Sequence, residues 1–217
     1  NDISLEGIRR LQAEVIMAAK KFSFAGFDGM QINMGNNFYL ARFINPYFNQ
    51  REDSYGGSTE NRVRIVSEII KLIKDNFDMH ISCRVNPNDV RKGGITQEEN
   101  IEICKLLEKA GADSIQLTGR TISYAYEEMR LNPFVDYANK LTNELNIPVI
   151  LGGNLREMSK LNEILNTTDV EFMSLSKPFV AQPDFLAEWK ENGEGVSICQ
   201  SCNNCYSKKE SYCFKFD

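Results

Sequence analysis

Hydrophobic residues along the chain follow two alternating spacings, one typical of helices and one typical of short buried strands. A helical spacing is followed by a short apolar run five times, which predicts helices alternating with strands. The predicted helices are 4–22, 59–76, 96–110, 133–145 and 155–165, and the predicted strands are 30–33, 81–85, 114–117, 149–151 and 171–175. Residues 34–58 are expected to form a long polar and aromatic loop. The apolar face predicted for helix 59–76 consists of Val63, Ile65, Val66, Ile69, Ile70, Leu72 and Ile73.

This order of elements indicates an α/β fold with parallel strands. Right-handed crossovers between such strands leave two architectures, an eight-stranded barrel and an open doubly wound sheet. No GxGxxG or GxxxxGK[ST] motif follows a predicted strand, which weighs against the open nucleotide-binding sheet. We therefore predict a parallel (β/α)8 TIM-barrel type. A whole barrel typically needs about 250 residues, whereas the 217 residues here provide about five of its eight units.

Polar side chains lie at the carboxyl ends of the predicted strands. Parallel α/β folds of both kinds build their binding and catalytic sites at this edge of the sheet. The functional site is therefore predicted among Asn33, Asn36, Arg84, Asn86, Asp89, Thr118, Asn154, Ser176 and Lys177.

The composition narrows the classes of function. The sequence is 42% hydrophobic and 25% charged, and it has no apolar run near the roughly 18 residues of a membrane-spanning helix, so no membrane association is expected. With 25 basic and 30 acidic residues the net charge is -5, which makes nucleic acid a poor partner because no overall positive field exists. The first residues lack the basic and then apolar pattern of a secretory signal. These features predict a cytoplasmic protein.

The segment 49–64, NQREDSYGGSTENRVR, is the most specific string in the sequence. Asn49, Arg51 and Asp53 form a polar bracket, and the glycines at 56–57 allow a tight turn into the next helix. The chemistry of these residues favours a structural loop clamp over a catalytic role. As a string, the segment closely resembles the signature of the Old Yellow Enzyme family of flavin oxidoreductases, N-x-R-x-D-x-Y-G-G-S-x-E-N-R.

The resemblance extends over nearly the whole chain. AGFDGMQI resembles the family's fourth barrel strand, SCRVNPND its fifth, IPVILGGN its seventh and FMSLSKPF its eighth. PDFLAEWKENG and the cysteines after it resemble the tail of the NADH:flavin oxidoreductase and 2,4-dienoyl-CoA reductase branch. The matched region is the C-terminal portion of the family's barrel, without strands one to three. Residues 1–190 are thus expected to form a partial FMN-binding barrel, and residues 191–217 a cysteine-rich tail.

The resemblance implies a site for the substrate after the first predicted strand. The family holds the oxygen of its substrate there with two polar side chains, usually His with His or Asn, and these positions are Asn33 and Asn36. An Asn amide still donates hydrogen bonds to an enone oxygen, but it cannot supply a proton near neutral pH. The family's proton-donating Tyr aligns with Phe38, so Tyr39 is a candidate substitute that would face the other way on a strand-like path.

The resemblance also implies a site for FMN. The family places an arginine, here Arg84, against the electron-rich edge of the flavin, where a cation supports hydride acceptance. An ion pair with Asp89 is the structural alternative for Arg84. The phosphate cradle of the family corresponds to Gly152, Gly153, Asn154, Ser176 and Lys177. Lys177 stands where the family has Arg, which keeps the charge but loses the bidentate fork.

Four of the six cysteines lie in the last nineteen residues, at Cys199, Cys202, Cys205 and Cys213. Thiolates at such spacing indicate a metal or cluster site. The resemblance implies a [4Fe-4S] cluster, although the second gap in the family is usually one residue longer, and zinc or no metal remain alternatives. Cys83 and Cys104 lie alone in apolar segments and are predicted to be buried small hydrophobic residues.

Two functions from different classes follow. The first is an FMN-dependent oxidoreductase that passes hydride from NAD(P)H through FMN to a small activated alkene such as an enone, an enoate or a dienoyl-like compound. The second is a catalytically impaired half-barrel, either a remnant or a subunit that needs a partner chain or a second copy to complete the barrel, with a metal-binding tail. Five parallel strands with two open edges favour such association.

Overall fold

A computed structural model of the chain describes residues 3–89, 91–119, 132, 134–206 and 212–213. Its strands are β1 (Gly29–Met34), β2 (His80–Val85), β3 (Ser114–Leu117), β4 (Val149–Gly152) and β5 (Phe172–Ser174). The helices are α1 (Leu5–Phe24), α2 (Tyr39–Ile44), α3 (Thr59–Asn76), α4 (Gln97–Ala110), α5 (Val135–Thr142), α6 (Met158–Thr167), α7 (Lys177–Ala181) and α8 (Phe185–Asn192), and a short 3-10 helix covers Asn204–Tyr206. In this part of the chain, no helix is long and apolar enough to cross a membrane.

The five strands form one parallel sheet in the order β1-β2-β3-β4-β5. A doubly wound sheet reverses its strand order at a switch point, whereas consecutive order is the arrangement of a barrel wall. The predicted α/β barrel type with five units is therefore confirmed. The register places Asn33 beside Arg84, and Arg84 beside Gln116. Alternation along the strands then puts all three side chains on the same face of the sheet.

The opposite face of the sheet carries the hydrophobic core. Ile81, Cys83 and Val85 of β2 point to this side and are buried. The apolar face of α3 is buried too, except for Leu72, whose predicted burial is wrong because it lies 40% exposed. Cys83 and Cys104 are both fully enclosed, which confirms the prediction made for them.

Three long helices begin at the capping residues that the sequence provides. Ser4, Ser58 and Thr96 each accept a hydrogen bond from a backbone N–H of the first turn, at 3.1, 3.3 and 3.2 Å. Such caps satisfy donors that would otherwise have no partner within the helix. They fix where α1, α3 and α4 start, and thereby the ends of the loops that precede them.

The structure adds helices that the hydrophobic spacing did not predict. α2 lies inside the predicted loop 34–58, and α7 and α8 follow the last strand. α2 and α7 have six and five residues, which is too short for a helical period to be recognised. The predicted helix 155–165 begins later, at Met158, and the prediction for 133–145 starts at a residue outside the described ones.

The segment 49–64 acts as the loop clamp that its chemistry indicated. Asn49 donates to the carbonyl oxygens of Phe43 and Tyr55 at 2.6 and 2.9 Å, which closes the loop after α2. Arg51 pairs with Asp53 and donates to the carbonyl of Ile3 at 2.6 Å. These bonds join the loop to the start of the chain, and they engage the side chains of Asn49, Arg51 and Asp53 in structural contacts.

Candidate active site

Two buried side-chain atoms stand out among the described residues because they have no hydrogen-bond partner. They are Oδ1 of Asn36 and Nε of Arg84. A buried polar group without a partner costs about 1–3 kcal/mol, so native proteins rarely keep one without a reason. Both belong to side chains that the sequence placed at the predicted site. This coincidence marks the carboxyl edge of β1 and β2 as the candidate active site.

The loops after β1, β2 and β3 meet closely at this edge. The backbone N–H of Asn36 donates to Oδ1 of Asn86 at 3.1 Å, and Nη2 of Arg84 donates to Oγ1 of Thr118 at 2.8 Å. Gly35 lies between them, where a Cβ atom would come within 2.5 Å of the Thr118 methyl group. Only glycine fits at that position without displacing Thr118. The loops after β1, β2 and β3 are therefore in direct contact with one another around Asn36 and Arg84.

Asn33 and Asn36, which the sequence predicts to hold the oxygen of the substrate that accepts hydride and which we call the acceptor pair, lie in a tight turn. Oδ1 of Asn33 accepts a hydrogen bond from the N–H of Gly35 at 3.1 Å, which fixes this side chain. Asn36 has a left-handed backbone with φ of 53°, a conformation that Asn tolerates better than most residues. Arg84 does not pair with Asp89 as the structural alternative supposed, because Asp89 accepts instead from Asn45 Nδ2 at 2.7 Å.

Tyr39 lies on a different path from the one expected. It begins the helix α2 rather than continuing a strand, and its ring packs against Phe43 with the centroids 6.1 Å apart. Burial raises the pKa of Tyr39, and the charge of Arg51 partly opposes this rise. Tyr39 thus lies within the electrostatic influence of Arg51 in the loop clamp, and its role as a proton donor stays a prediction.

A second group of predicted residues lies at the ends of β4 and β5. Gly153 and Asn154 have left-handed backbones, with φ of 100° and 44°. A Cβ atom on Gly152 would come within 2.5 Å of the Leu117 carbonyl oxygen, so close packing against β3 already requires this glycine. Asn132, which the sequence analysis did not single out, donates to the carbonyl oxygens of Gly152 and Gly153. This buried side chain holds the loop in shape.

Lys177 brings the cysteine tail to the same place. Its ammonium donates to Oδ1 of Asn203 at 2.9 Å, and its side chain lines a cavity of about 30 Å³. Burial lowers the pKa of Lys177, while the thiol of Cys199 is the main opposing influence. The cavity is lined also by all four predicted metal ligands, Cys199, Cys202, Cys205 and Cys213.

The four thiols share this cavity without forming a ligand set. All six cysteines are thiols rather than disulfides. Within the described ranges, no group of three or more His, Cys, Asp or Glu side chains is arranged to hold a metal ion. Burial raises the pKa of Cys205, and the nearby Cys199 adds to the rise. The metal site therefore stays a prediction.

Comparison with known proteins identifies the family. A sequence model described as the NADH:flavin oxidoreductase / NADH oxidase family matches residues 1–194. The chain belongs to this family. One of its members, the NADH oxidase of Thermoanaerobacter brockii, is 30% identical over 214 residues, which are 93% of this chain and 32% of that protein. The resemblance to Old Yellow Enzymes found in the sequence is thereby confirmed.

Solved structures agree on the fold of this chain. A 2-naphthoyl-CoA reductase in complex with 2-naphthoyl-CoA matches with a TM-score of 0.82 and 25% identity, over 94% of this chain and 32% of that one. An Old Yellow Enzyme homologue from Zymomonas mobilis matches with a TM-score of 0.72 and 20% identity, over 98% of this chain and 58% of that one. The chain thus spans about a third to three fifths of the length of these relatives.

The residues present fit the flavin that the family name implies. Arg84 offers a buried donor, Nε, that has no acceptor among the described residues, as an arginine facing the electron-rich edge of a flavin requires. Lys177 offers a half-buried cation at the start of α7, and Gly153 and Asn154 offer a left-handed backbone after β4. Exposed backbone N–H groups in such loops and a nearby cation suit a phosphate. The chain therefore offers a donor suited to the flavin ring and a cation suited to the phosphate of FMN.

Proposed function

We propose that the chain forms the larger part of an FMN-dependent oxidoreductase site of the Old Yellow Enzyme type. The observation that carries this proposal is the buried Nε of Arg84, a cationic donor without a partner among the described residues, at the strand ends where parallel α/β folds bind their ligands. When bound, FMN supplies hydride transfer from NAD(P)H to the substrate. The substrate class is a small alkene activated by a carbonyl or similar oxygen.

The side chains of the chain take separate roles in this proposal. Asn33 and Asn36 orient the substrate oxygen through their amide N–H groups, which is how a preorganised dipole stabilises developing negative charge. Arg84 donates to the electron-rich edge of the flavin. The phosphate is bound at the loops after β4 and β5, by Gly152, Gly153, Asn154, Ser176 and Lys177. Because no imidazole is present at the acceptor pair, proton delivery falls to another group, for which Tyr39 remains the candidate.

A flavin titration tests the proposal directly. The purified chain is titrated with FMN under anaerobic conditions, and a bound flavin spectrum retained through desalting is the expected result. The substitution Arg84→Met should weaken FMN binding about tenfold or more, because a hydrogen bond to a charged donor is lost. Arg10→Met is the matched control, since Arg10 is 82% exposed on α1, where it pairs with Glu14. An unaltered chain that ignores FMN would contradict the proposal.

Turnover is tested separately from binding. The FMN-loaded protein is given NADH or NADPH together with an enone, and loss of nicotinamide absorbance is followed. Asn36→Gly, which keeps the left-handed backbone at this position, should lower kcat for the enone about tenfold or more, the effect expected of an oxyanion donor, while FMN binding stays unchanged. Equal activity of Asn36→Gly and the unaltered protein would remove Asn36 from the proposed acceptor pair.

The cysteine tail, residues 191–217, is proposed as a second part that carries a [4Fe-4S] cluster, with zinc as the alternative. Four thiols that line one cavity supply the donor atoms that either metal prefers. Their arrangement would have to tighten, because the described thiols do not form a ligand set. Metal and sulfide analysis of anaerobically purified protein separates iron with sulfide from zinc, and neither element above background would refute the metal assignment.

A further inference from the structure

We infer that the cysteine tail is a working part of the phosphate site, with Asn203 as the positioning residue that holds Lys177 for the FMN phosphate. The inference rests on the proposed function, since it assumes that FMN binds at the ends of β4 and β5. It goes further because it assigns a binding role to tail residues that do not depend on any metal. Asn203 acts through Lys177 rather than on the cofactor.

Three side-chain contacts tie the tail to the predicted phosphate cradle. Lys177 Nζ donates to Asn203 Oδ1 at 2.9 Å, and Ser201 Oγ donates to Asn154 Oδ1 at 3.0 Å. Arg156 Nη1 donates to the carbonyl oxygen of Cys199 at 2.9 Å. Two of the three contacts end on cradle residues that the sequence predicted before the tail was placed. The tail therefore covers this cradle rather than an unrelated surface.

The backbone reinforces these contacts. Val196 forms an antiparallel bridge with Glu157, and the N–H of Ser197 donates to the carbonyl of Arg156 at 2.7 Å. Ser201 and Asn203 have left-handed backbones with φ of 54° and 61°, like Asn154 across the contact. Such conformations persist only where the surrounding structure determines them. The tail and the loop after β4 thus form one defined unit.

The physical effect of Asn203 is preorganisation. A lysine side chain has four rotatable bonds, and ordering it when a ligand binds costs conformational entropy. The amide oxygen of Asn203 orders the ammonium beforehand, and because this oxygen is neutral the full positive charge of Lys177 remains available for an anion. Phosphate binding then avoids a cost that a mobile lysine would incur. The benefit is confined to ligands that carry the phosphate.

The comparison of FMN with riboflavin isolates this effect, because riboflavin lacks only the phosphate. Dissociation constants for both are measured by flavin fluorescence with the whole chain and with Asn203→Gly. Glycine keeps the left-handed backbone at position 203, whereas alanine would strain it. We expect about 3- to 10-fold weaker FMN binding and less than about 2-fold change for riboflavin. Glu194→Gln, at an exposed position of the same tail that does not line the Lys177 cavity, is the matched control and should leave both constants unchanged.

A double-mutant cycle separates positioning from general loosening of the tail. If Asn203 acts through Lys177, Asn203→Gly has no further effect on the FMN-to-riboflavin ratio once Lys177→Ala is present. An equal loss for FMN and riboflavin, additive effects of the two substitutions, or an unchanged ratio in Asn203→Gly would each overturn the inference while the proposed function stands. A chain that binds neither flavin would overturn both. Circular dichroism confirms that the variants keep the helices of the unaltered protein.

Discussion

Arg84 has one donor that makes a structural hydrogen bond and another that makes none. Its Nη2 is bonded to Thr118 at 2.8 Å, while Nε is buried without a partner among the described residues. Arg84→Met removes one hydrogen bond and one unsatisfied donor together, and these two changes oppose each other. We expect the free energy of unfolding without flavin to change by less than about 1 kcal/mol, measured by urea denaturation. A loss of several kcal/mol would show that Arg84 belongs to the core of the fold rather than to a ligand site.

Cys83 gives the protein a defined sensitivity to alkaline pH. Burial raises the pKa of this thiol to about 12 in the folded protein, from 9.0 without burial. The folded state therefore holds its proton where the unfolded state releases it, so stability is complete below about pH 9 and is lost as the pH rises towards 12. Urea denaturation between pH 8 and 11 measures this loss. Cys83→Ala should make the decline above pH 9 shallower, and an identical slope would contradict the assignment.

Single residues also show where sequence reasoning succeeds and where it stops. Asn33 and Arg84 could be predicted because they end strands, and the ends of parallel strands share one edge. Asn132 and Asn203 were missed because each matters only through a loop that folds onto another loop. The spacing of hydrophobic residues carries no information about such contacts between loops.

Among the elements, α3 and α4 are joined by an ion pair with little exposure. The side chain of Arg62 is 6% exposed, pairs with Glu99, and also donates to the carbonyl oxygen of Ile44 at 2.8 Å. Burial lowers the pKa of Arg62, and the carboxylate of Glu99 opposes the change. Removing one partner of such a pair leaves an uncompensated buried charge, which costs about 3 kcal/mol.

Glu99→Ala is therefore expected to lower the free energy of unfolding by about 3 kcal/mol, with an unchanged denaturant slope. Glu163→Ala is the control, because Glu163 is exposed on α6, away from Arg62, and should change stability by less than about 0.5 kcal/mol. Both variants are compared by urea denaturation. Similar stabilities would mean that the ion pair is balanced by its desolvation cost.

The elements differ in how far the sequence determines them. α3 and β3 have the predicted bounds, because a long amphipathic face, a capping serine and a strict alternation of polar and apolar residues are each strong signals. α2 was hidden in a predicted loop, since its buried residues Ala41, Phe43 and Ile44 span barely one turn. Short helices depend on what they pack against, and that is known only once β1 is placed.

At the scale of the whole molecule, one face of the sheet is polar and open. Gln31 donates to Gln116 at 2.8 Å, and Gln116 donates to Ser174 at 2.5 Å, which links β1, β3 and β5 across this face. In a complete barrel the corresponding face is the packed interior. Gln31 is exposed and the other two are half-buried. The polar links keep the open face compatible with water, although β1 and β5 each have only one neighbouring strand in the described sheet.

We expect the 217-residue chain to associate through the surface beside β1. Met17, Phe24 and Phe27 are 53%, 95% and 60% exposed on α1 and the turn into β1, next to an open strand edge. Exposed apolar groups beside an unpaired edge favour contact with another chain. Light scattering after size exclusion should give a mass above 24.8 kDa that rises with concentration.

The substitutions Phe24→Lys and Phe27→Lys together should shift this distribution towards the monomer, because they place charge beside the edge that would pair. Leu72→Lys provides the control, since Leu72 is 40% exposed on the outer side of α3.

FMN binding by the associated and the monomeric forms distinguishes the half-barrel alternative from an FMN enzyme that works as a single chain. If FMN binds equally well to the associated and the monomeric forms, the five strands suffice for the flavin. If only the associated form binds FMN, the site needs a second chain against the β1 edge. A monomer at every concentration would contradict the association itself.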